Sequence, residues 1–147
     1  MRISGYGIGI DLPEGWEGLI YRREPRGRAI LHAGDFGLPP GDGDFGLSSV
    51  SAMRPHGVFL VLAEYNPEVA GQGLFASTRK PWPLRPEDPS RRTMQRPRPG
   101  RAGLQRFFTA RGRPFSLYLV VGTAGGTADP IQRANDVLET VTIEPPA

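Results

Sequence analysis

The sequence contains no cysteine, which excludes disulfide bonds, thiol catalysis and zinc sites built on cysteine. Histidine is scarce: only His32 and His56 occur, neither lies in a metal-binding or nucleophile motif, and we expect both to be structural. The longest apolar run, residues 58–63, is far shorter than the ~20 residues that a membrane helix needs. We therefore expect a protein that is not an enzyme, binds no cofactor and does not enter a membrane.

Lysine is also nearly absent, since Lys80 is the only lysine among 18 basic residues and the others are arginine. Fifteen acidic residues leave a net charge of +3, which by itself does not indicate a nucleic-acid-binding protein. Abundant arginine, glycine and proline are what a GC-rich genome produces, so we do not interpret them as selection for nucleic-acid binding. We expect a bacterial protein. Residues 1–7 lack the apolar stretch of a secretory signal, which predicts a cytoplasmic protein.

The first half of the chain predicts strands. Apolar residues alternate at 6–12, 16–23 and 28–32, and proline and glycine mark the turns between these stretches. Their closeness in the sequence favours an antiparallel meander. A nearly continuous apolar stretch at 58–65 predicts a central strand that is buried on both faces.

Two further strands, 102–110 and 113–122, flank the dipeptide Arg111-Gly112, which predicts a β-hairpin. Residues 111–114, Arg-Gly-Arg-Pro, also match the core of an AT-hook, which binds the minor groove of DNA. Their position between two predicted strands favours the hairpin.

Near the end of the chain, Asp129 and Pro130 predict the N-cap and first residue of a helix, and Gln132 would complete a capping box. A short strand at 141–143 follows. The apolar stripe of the predicted helix consists of Ile131, Ala134, Leu138 and Val141.

The predicted fold class is α+β: a mostly antiparallel, twisted sheet of five to seven strands, with the C-terminal helix packed on one face and a long Pro-rich loop. We expect a single domain over residues 1–147, with the irregular Pro/Arg-rich loop 76–101 inserted between strands.

Two stretches of the chain resemble a known family. Residues 7–16, GIGIDLPEGW, resemble the opening strand and turn of the Mog1/PsbP-like superfamily, and residues 133–143, RANDVLETVTI, are similar to its closing helix and strand. Together they cover about 21 residues, and the proline-rich region lies outside them. The resemblance implies a compact domain of α/β/α type that binds proteins rather than catalysing a reaction, as assembly factors, adaptors and effector chaperones do. It implies no particular site residues.

An acidic, glycine-rich stretch at 34–47 contains two copies of Gly-Asp-Phe-Gly-Leu, nine residues apart. Carboxylates in a flexible loop suit Ca²⁺, so Asp35, Asp42 and Asp44 are the residues that would hold a metal. Two copies are fewer than a stacked Ca²⁺-binding repeat requires, and the EF-hand pattern is absent. We therefore predict no metal site, and instead two similar turns whose Phe36 and Phe45 anchor the loop on the core.

Positive charge is concentrated in one part of the chain. Residues 79–101, called the basic segment below, hold eight basic residues against two acidic ones, a net charge of +6. Six prolines from 81 to 99 exclude a regular helix or a central strand there. The residues predicted to contact a partner are Arg79, Lys80, Trp82, Arg85, Arg91, Arg92, Arg96 and Arg98.

Three roles remain open for the basic segment. It is a solvated loop, a docking surface for a protein, or a phosphate-binding surface for RNA or DNA on which Trp82 would stack a base. Trp82, between two prolines, also suits a side chain that docks on the protein's own core. We predict a non-catalytic protein-binding, adaptor or chaperone-like domain. The alternative is a nucleic-acid-associated protein that binds phosphates through residues 79–101.

Overall fold

The computed structural model describes residues 1–146 and has the predicted α+β class. Within this range, eight strands form two antiparallel sheets of five and three strands, so the prediction of one sheet is wrong. The strands are β1 (Arg2–Gly5), β2 (Ile8–Asp11), β3 (Glu17–Arg22), β4 (Ala29–Gly34), β5 (Val58–Glu64), β6 (Arg101–Ala110), β7 (Arg113–Gly122) and β8 (Thr142–Ile143). The helices are α1 (Leu47–Ala52) and α2 (Ala128–Leu138), with short 3-10 helices at Pro67–Val69, Gly73–Phe75 and Arg91–Thr93. No helix in the described range is long and apolar enough to cross a bilayer.

The five-stranded sheet has the order β3-β4-β5-β7-β6, which places β5 at its centre, as predicted. Successive side chains of a strand point to opposite faces of the sheet. Leu60 and Leu62 therefore enter one core, beneath α2, whereas Phe59 and Val61 enter a second core beneath the 36–53 region. A strand covered on both faces needs apolar residues at every position, and this is why the sequence of β5 does not alternate.

The predicted hairpin between β6 and β7 is confirmed. The two strands pair over their full length, from Arg101 opposite Gly122 to Ala110 opposite Arg113. The connecting residues Arg111 and Gly112 have φ angles of 56° and 79°, as a two-residue type I′ turn requires. Because Arg113 is only 6% exposed, the AT-hook-like tetrapeptide serves as a hairpin turn and strand start.

The three-stranded sheet, in the order β1-β2-β8, differs from the predicted arrangement. Tyr6 and Gly7 do not lie in a strand but form the turn between β1 and β2, with φ angles of 52° and 76°. Strand β2, which follows this turn, pairs with β8 near the other end of the chain. The predicted meander of three strands is therefore reduced to the pair β3–β4.

Helix α2 covers the first core with the predicted stripe, since Ile131, Ala134 and Leu138 are all buried. Its N-cap is Thr127 rather than Asp129, so the predicted capping box is wrong. Asp129 instead lies in the first helical turn, where the positive end of the helix dipole stabilises its carboxylate. The same carboxylate accepts a hydrogen bond from Arg133 at 2.9 Å.

Arg113 fastens the small sheet to the large one. Its guanidinium makes two hydrogen bonds to the carboxylate of Glu64 on β5, at 2.8 and 3.0 Å. It also donates to the carbonyl oxygens of Tyr6 and Glu144, at 2.8 and 3.1 Å, beside the ends of β1 and β8. The ion pair is nearly buried, since the side chains of Arg113 and Glu64 are 7% and 12% exposed. Arg113 therefore links β5 both to the turn after β1 and to the residue that follows β8.

Candidate functional site

The basic segment runs along β6, which is an edge strand of the large sheet. Just before the segment, Ser77 accepts a hydrogen bond from the backbone N–H of Thr109 at 2.8 Å. Within it, Ser90 exchanges two backbone hydrogen bonds with Gly103, at 2.7 and 2.9 Å. These bonds cover part of an edge that would otherwise present unpaired N–H and C=O groups to solvent.

Trp82 packs on the protein's own core. Its ring meets Phe108 edge-on, with 5.7 Å between the ring centroids, and is partly buried beside the core under α2. The ammonium of Lys80 lies 5.9 Å from the centroid of the Trp82 ring, within the range of a cation–π contact. Of the residues predicted to contact a partner, Trp82 is thus the one that fixes the segment to the body of the protein.

The backbone around Leu84 is held by a side chain of α2. The Oδ1 atom of Asn135 accepts the N–H of Leu84 at 2.7 Å, and the Nδ2 atom donates to its carbonyl at 2.9 Å. The hydroxyl of Thr127 donates to the carbonyl of Pro86 at 2.6 Å. Because proline has no N–H, a regular ladder cannot form along this segment, and isolated side-chain bonds take its place.

The second half of the basic segment is fixed in a similar way. Residues Arg91–Thr93 form a 3-10 helix, whose start is capped by the Ser90 hydroxyl accepting the N–H of Arg92 at 3.2 Å. Met94 is buried in the second core, and the N–H of Gln95 donates to the hydroxyl of Tyr118 at 2.9 Å. The segment is therefore a fixed part of the fold on both sides of Ser90.

Although the backbone is fixed, the cationic side chains remain outside. Six of the seven predicted partner-binding cations are exposed, and Arg98 is half-buried. None of the seven makes an ion pair with any residue in the range 1–146. Elsewhere, arginines with a carboxylate partner are Arg2, Arg23, Arg106, Arg113 and Arg133. The segment therefore presents positive charge that the chain itself leaves uncompensated.

Arg101, the last residue of the basic segment, is used internally. Its guanidinium donates to the carbonyl of Met53 at 2.6 Å, which joins the start of β6 to the end of α1. Burial, and then the neighbouring Arg98 cation, lower the pKa of Arg101. Arg101 is thus part of the fold, in contrast to the exposed cations of the segment.

Asp42, one of the three aspartates considered for a metal, caps α1. Its carboxylate accepts the backbone N–H groups of Ser48 and Ser49, at 3.1 and 2.8 Å, and the Ser49 hydroxyl at 2.5 Å. Burial alone would raise the pKa of Asp42, but these hydrogen bonds outweigh it and lower the pKa below its ordinary value. The carboxylate therefore organises the short helix.

The other two aspartates also have protein partners. Asp35 accepts the N–H of Val58 at 3.0 Å and forms an ion pair with Arg133 of α2. Asp44 accepts the hydroxyl of Tyr21 at 2.9 Å. Among residues 1–146, no three metal-ligating side chains come together as a set that would hold an ion.

The two phenylalanines of the repeated pentapeptide anchor the loop, as predicted. Phe36 is buried 6.3 Å from the ring of Phe59, and Phe45 meets Tyr118 edge-on at 5.6 Å. Both contacts lie in the second core, on the face of the sheet away from α2. Residues 34–47 therefore pack on this face of the large sheet.

His32 is a buried core residue. Its ring lies edge-on to both Tyr21 and Phe59, with centroid distances of 5.5 and 5.4 Å. Its Nε2 atom is 2.9 Å from the carbonyl oxygen of Asp44. A carbonyl oxygen only accepts hydrogen bonds, so Nε2 carries the ring proton and donates the hydrogen bond. Burial lowers the pKa of His32 to about 4, which keeps the ring neutral near pH 7. His32 thus holds the acidic stretch of residues 34–47 against β4.

A cavity of about 540 Å³ lies between the acidic loop and the basic segment. Asp42 and Asp44 line it from one side, and Gln95 and Arg96 from the other. Sequence reasoning did not reveal this juxtaposition, because nothing in the periodicity of residues 34–47 or 79–101 indicates that the two stretches meet.

Comparison of the chain with protein-family models, curated proteins and solved structures found no match.

Proposed function

We propose that this protein is a non-catalytic domain that binds an acidic surface of another protein through the basic segment. The observation that carries the proposal is the contrast between a fixed backbone and unpaired cations. Seven cationic side chains extend from a stretch that is bonded to β6, α2 and Tyr118, and none has a carboxylate partner in residues 1–146.

A fixed backbone favours binding, because the entropy of ordering the segment has already been lost on folding. Six of the seven cations are arginines, whose planar guanidinium groups donate two parallel hydrogen bonds to one carboxylate. Such a surface suits a partner that presents clustered aspartate and glutamate.

A protein partner is favoured over nucleic acid by the position of Trp82. It is the only aromatic residue in the basic segment, and its ring is partly buried against Phe108. Sequence-tolerant binding of single strands combines a basic surface with aromatic platforms for the bases, and the segment offers little free aromatic surface. Phosphate contacts by the arginines alone remain the basis of the alternative, a nucleic-acid-associated protein.

The resemblance of the two chain ends to the Mog1/PsbP-like superfamily remains a prediction. It supports the same type of role, that of an adaptor or chaperone-like domain, which we place in the bacterial cytoplasm.

The experiment that tests the proposal measures the binding of a fluorescent polyglutamate peptide and of a fluorescent single-stranded DNA by anisotropy. One variant neutralises the segment with Arg79→Gln, Arg85→Gln, Arg91→Gln and Arg92→Gln. The matched control makes the same change in net charge at exposed positions elsewhere, with Arg26→Gln, Arg28→Gln, Arg54→Gln and Arg111→Gln.

We expect the segment variant to bind the peptide at least about tenfold more weakly than the control variant, because each lost charged hydrogen bond contributes on the order of 1 kcal/mol. Equal weakening in both variants would mean that net charge alone attracts the peptide and would contradict the proposal. DNA binding that is tighter than peptide binding, and is lost in the segment variant, would favour the alternative.

A further inference from the structure

The two edges of the large sheet differ in how they are protected. At one edge, β6 is partly covered by backbone hydrogen bonds to Ser77 and Ser90. At the other edge, β3 pairs with β4 alone. Apart from those ladder bonds, no backbone hydrogen bond within residues 1–146 involves the stretch Glu17–Arg22.

The β3 edge carries the charges of Glu17 and Arg22, but it lacks other features that prevent strand pairing. It contains no proline and no lysine, and its register with β4 is continuous from Glu17 to Arg22, without a bulge. In an antiparallel pair, every second residue directs its N–H and C=O away from its neighbour. The outer side of β3 therefore presents a row of unpaired donors and acceptors, beside an exposed Leu19.

We propose that β3 pairs in antiparallel orientation with β3 of a second copy of this chain, about a two-fold axis at Ile20. An axis perpendicular to the sheet keeps each face on the same side, so residues of equal parity lie opposite one another. This places Leu19 opposite the partner's Tyr21, and Glu17 opposite the partner's Arg23, the residue that directly follows β3. Both pairings are repeated by the symmetry.

The side chains concerned are accessible and complementary. Glu17 is exposed, and one of its carboxylate oxygens accepts the N–H of Leu38 at 3.2 Å. Arg23 pairs with Asp44, but its side chain is still 71% exposed, and Leu19 is 47% exposed. Opposite charges directly across two strands are favourable, and contact between Leu19 and the partner's Tyr21 ring would bury apolar surface. Pairing about Ile20 therefore joins unlike charges, whereas it brings no two like charges of β3 opposite one another.

The pairing would create a continuous ten-stranded sheet with a copy of β6 at each outer edge. The two basic segments would then lie at opposite ends of the assembly. A partner with two acidic sites would bind such a dimer more tightly than a monomer, through the high effective concentration of the second segment. This last consequence rests on the proposed function, but the pairing of β3 does not.

Sedimentation velocity over a range of protein concentrations tests the pairing without any partner. We expect a reversible monomer–dimer equilibrium. Glu17→Lys replaces the negative charge that faces the partner's Arg23 by a positive one, and the symmetry repeats this repulsion once more. We expect the dimer dissociation constant to rise about tenfold. Glu14→Lys makes the same change of charge in the turn before β3 and leaves the constant within about twofold of the wild-type value.

A disulfide test gives an independent readout, because the native chain has no cysteine. Ile20→Cys lies on the two-fold axis, where the two Cα atoms of an antiparallel pair are close enough for a disulfide. We expect this variant to form a covalent dimer under mild oxidation, and Ser51→Cys, on α1, to remain monomeric. A monomer at all concentrations would overturn the proposal. So would a dimer that is insensitive to Glu17→Lys and is not cross-linked through Ile20→Cys.

Discussion

The side-chain amide of Asn135 pairs with the backbone of Leu84 through two hydrogen bonds, as a neighbouring strand would. This pair joins the C-terminal helix to a stretch whose prolines cannot form a ladder of their own. The helix and the basic segment are therefore one structural unit, although about fifty residues separate them in the sequence.

Asn135→Ala should destabilise the protein by about 1–3 kcal/mol, because it leaves the N–H and C=O of the buried Leu84 without partners. Chemical denaturation measures this loss. Amide hydrogen exchange should accelerate most between residues 82 and 88. Gln132→Ala, on the exposed side of the same helix, is the control and should leave both measurements nearly unchanged. Equal exchange rates in the two variants would mean that the amide does not hold the segment.

Arg113→Met should destabilise the protein by about 3–5 kcal/mol, since it leaves the Glu64 carboxylate nearly buried and unpaired. The same change removes the link between the two sheets, so β1 and β8 should lose protection from hydrogen exchange. Arg111→Met, in the exposed turn two residues earlier, should change the free energy of unfolding by less than about 0.5 kcal/mol. A similar effect of both substitutions would show that the ion pair is unimportant.

His32 makes stability depend on pH in the acidic range. Its pKa in the folded protein is about 4, below its ordinary value of 6.5, so the unfolded chain binds a proton that the folded chain excludes. Stability should therefore decrease as the pH falls from 6.5 to about 4, by roughly 3 kcal/mol, and this contribution should level off below pH 4.

The variant His32→Gln isolates this contribution, because its amide N–H can still donate to the Asp44 carbonyl and does not titrate. Denaturation curves at several pH values should show a smaller loss of stability for the variant between pH 6.5 and 4. Parallel curves for the two proteins would contradict the assigned burial of a neutral imidazole.

Features of the fold that depend on neighbouring residues in the sequence could be predicted. The positive φ angles that Arg111 and Gly112 adopt are required by a two-residue hairpin, and the apolar run of β5 requires burial on both faces. The helix stripe around Ile131 follows from its spacing in the sequence. The start of the helix does not, because a carboxylate is favourable both at the cap and in the first turn, where Asp129 lies.

Long-range relationships could not be predicted in this way. Alternation in the first strands indicates extended backbone, but it does not indicate that Ile8 pairs with Ile143, at the other end of the chain. The path of the basic segment depends on partners such as Asn135 and Tyr118, which are distant in sequence. The concentration of positive charge in residues 79–101 is evident in the sequence, whereas the hydrogen bonds that fix their backbone depend on the fold.

Lys80 can report on contact between the basic segment and a partner, because it is the only lysine in the sequence and lies within that segment. A carbodiimide joins an amine to a carboxylate in contact with it and adds no spacer. In this chain only Lys80 and the N-terminal amine of Met1 can therefore donate to a partner's aspartate or glutamate. Lys80→Arg keeps the positive charge and removes the reactive amine.

The measurement is mass spectrometry of the cross-linked peptides after carbodiimide treatment of the protein with its co-purified partner from the native host. We expect cross-links from Lys80 to acidic residues of one partner protein, and their loss in Lys80→Arg and in the four-arginine segment variant. Cross-links that come only from Met1, or none at all from a partner that still co-purifies, would contradict binding through the basic segment.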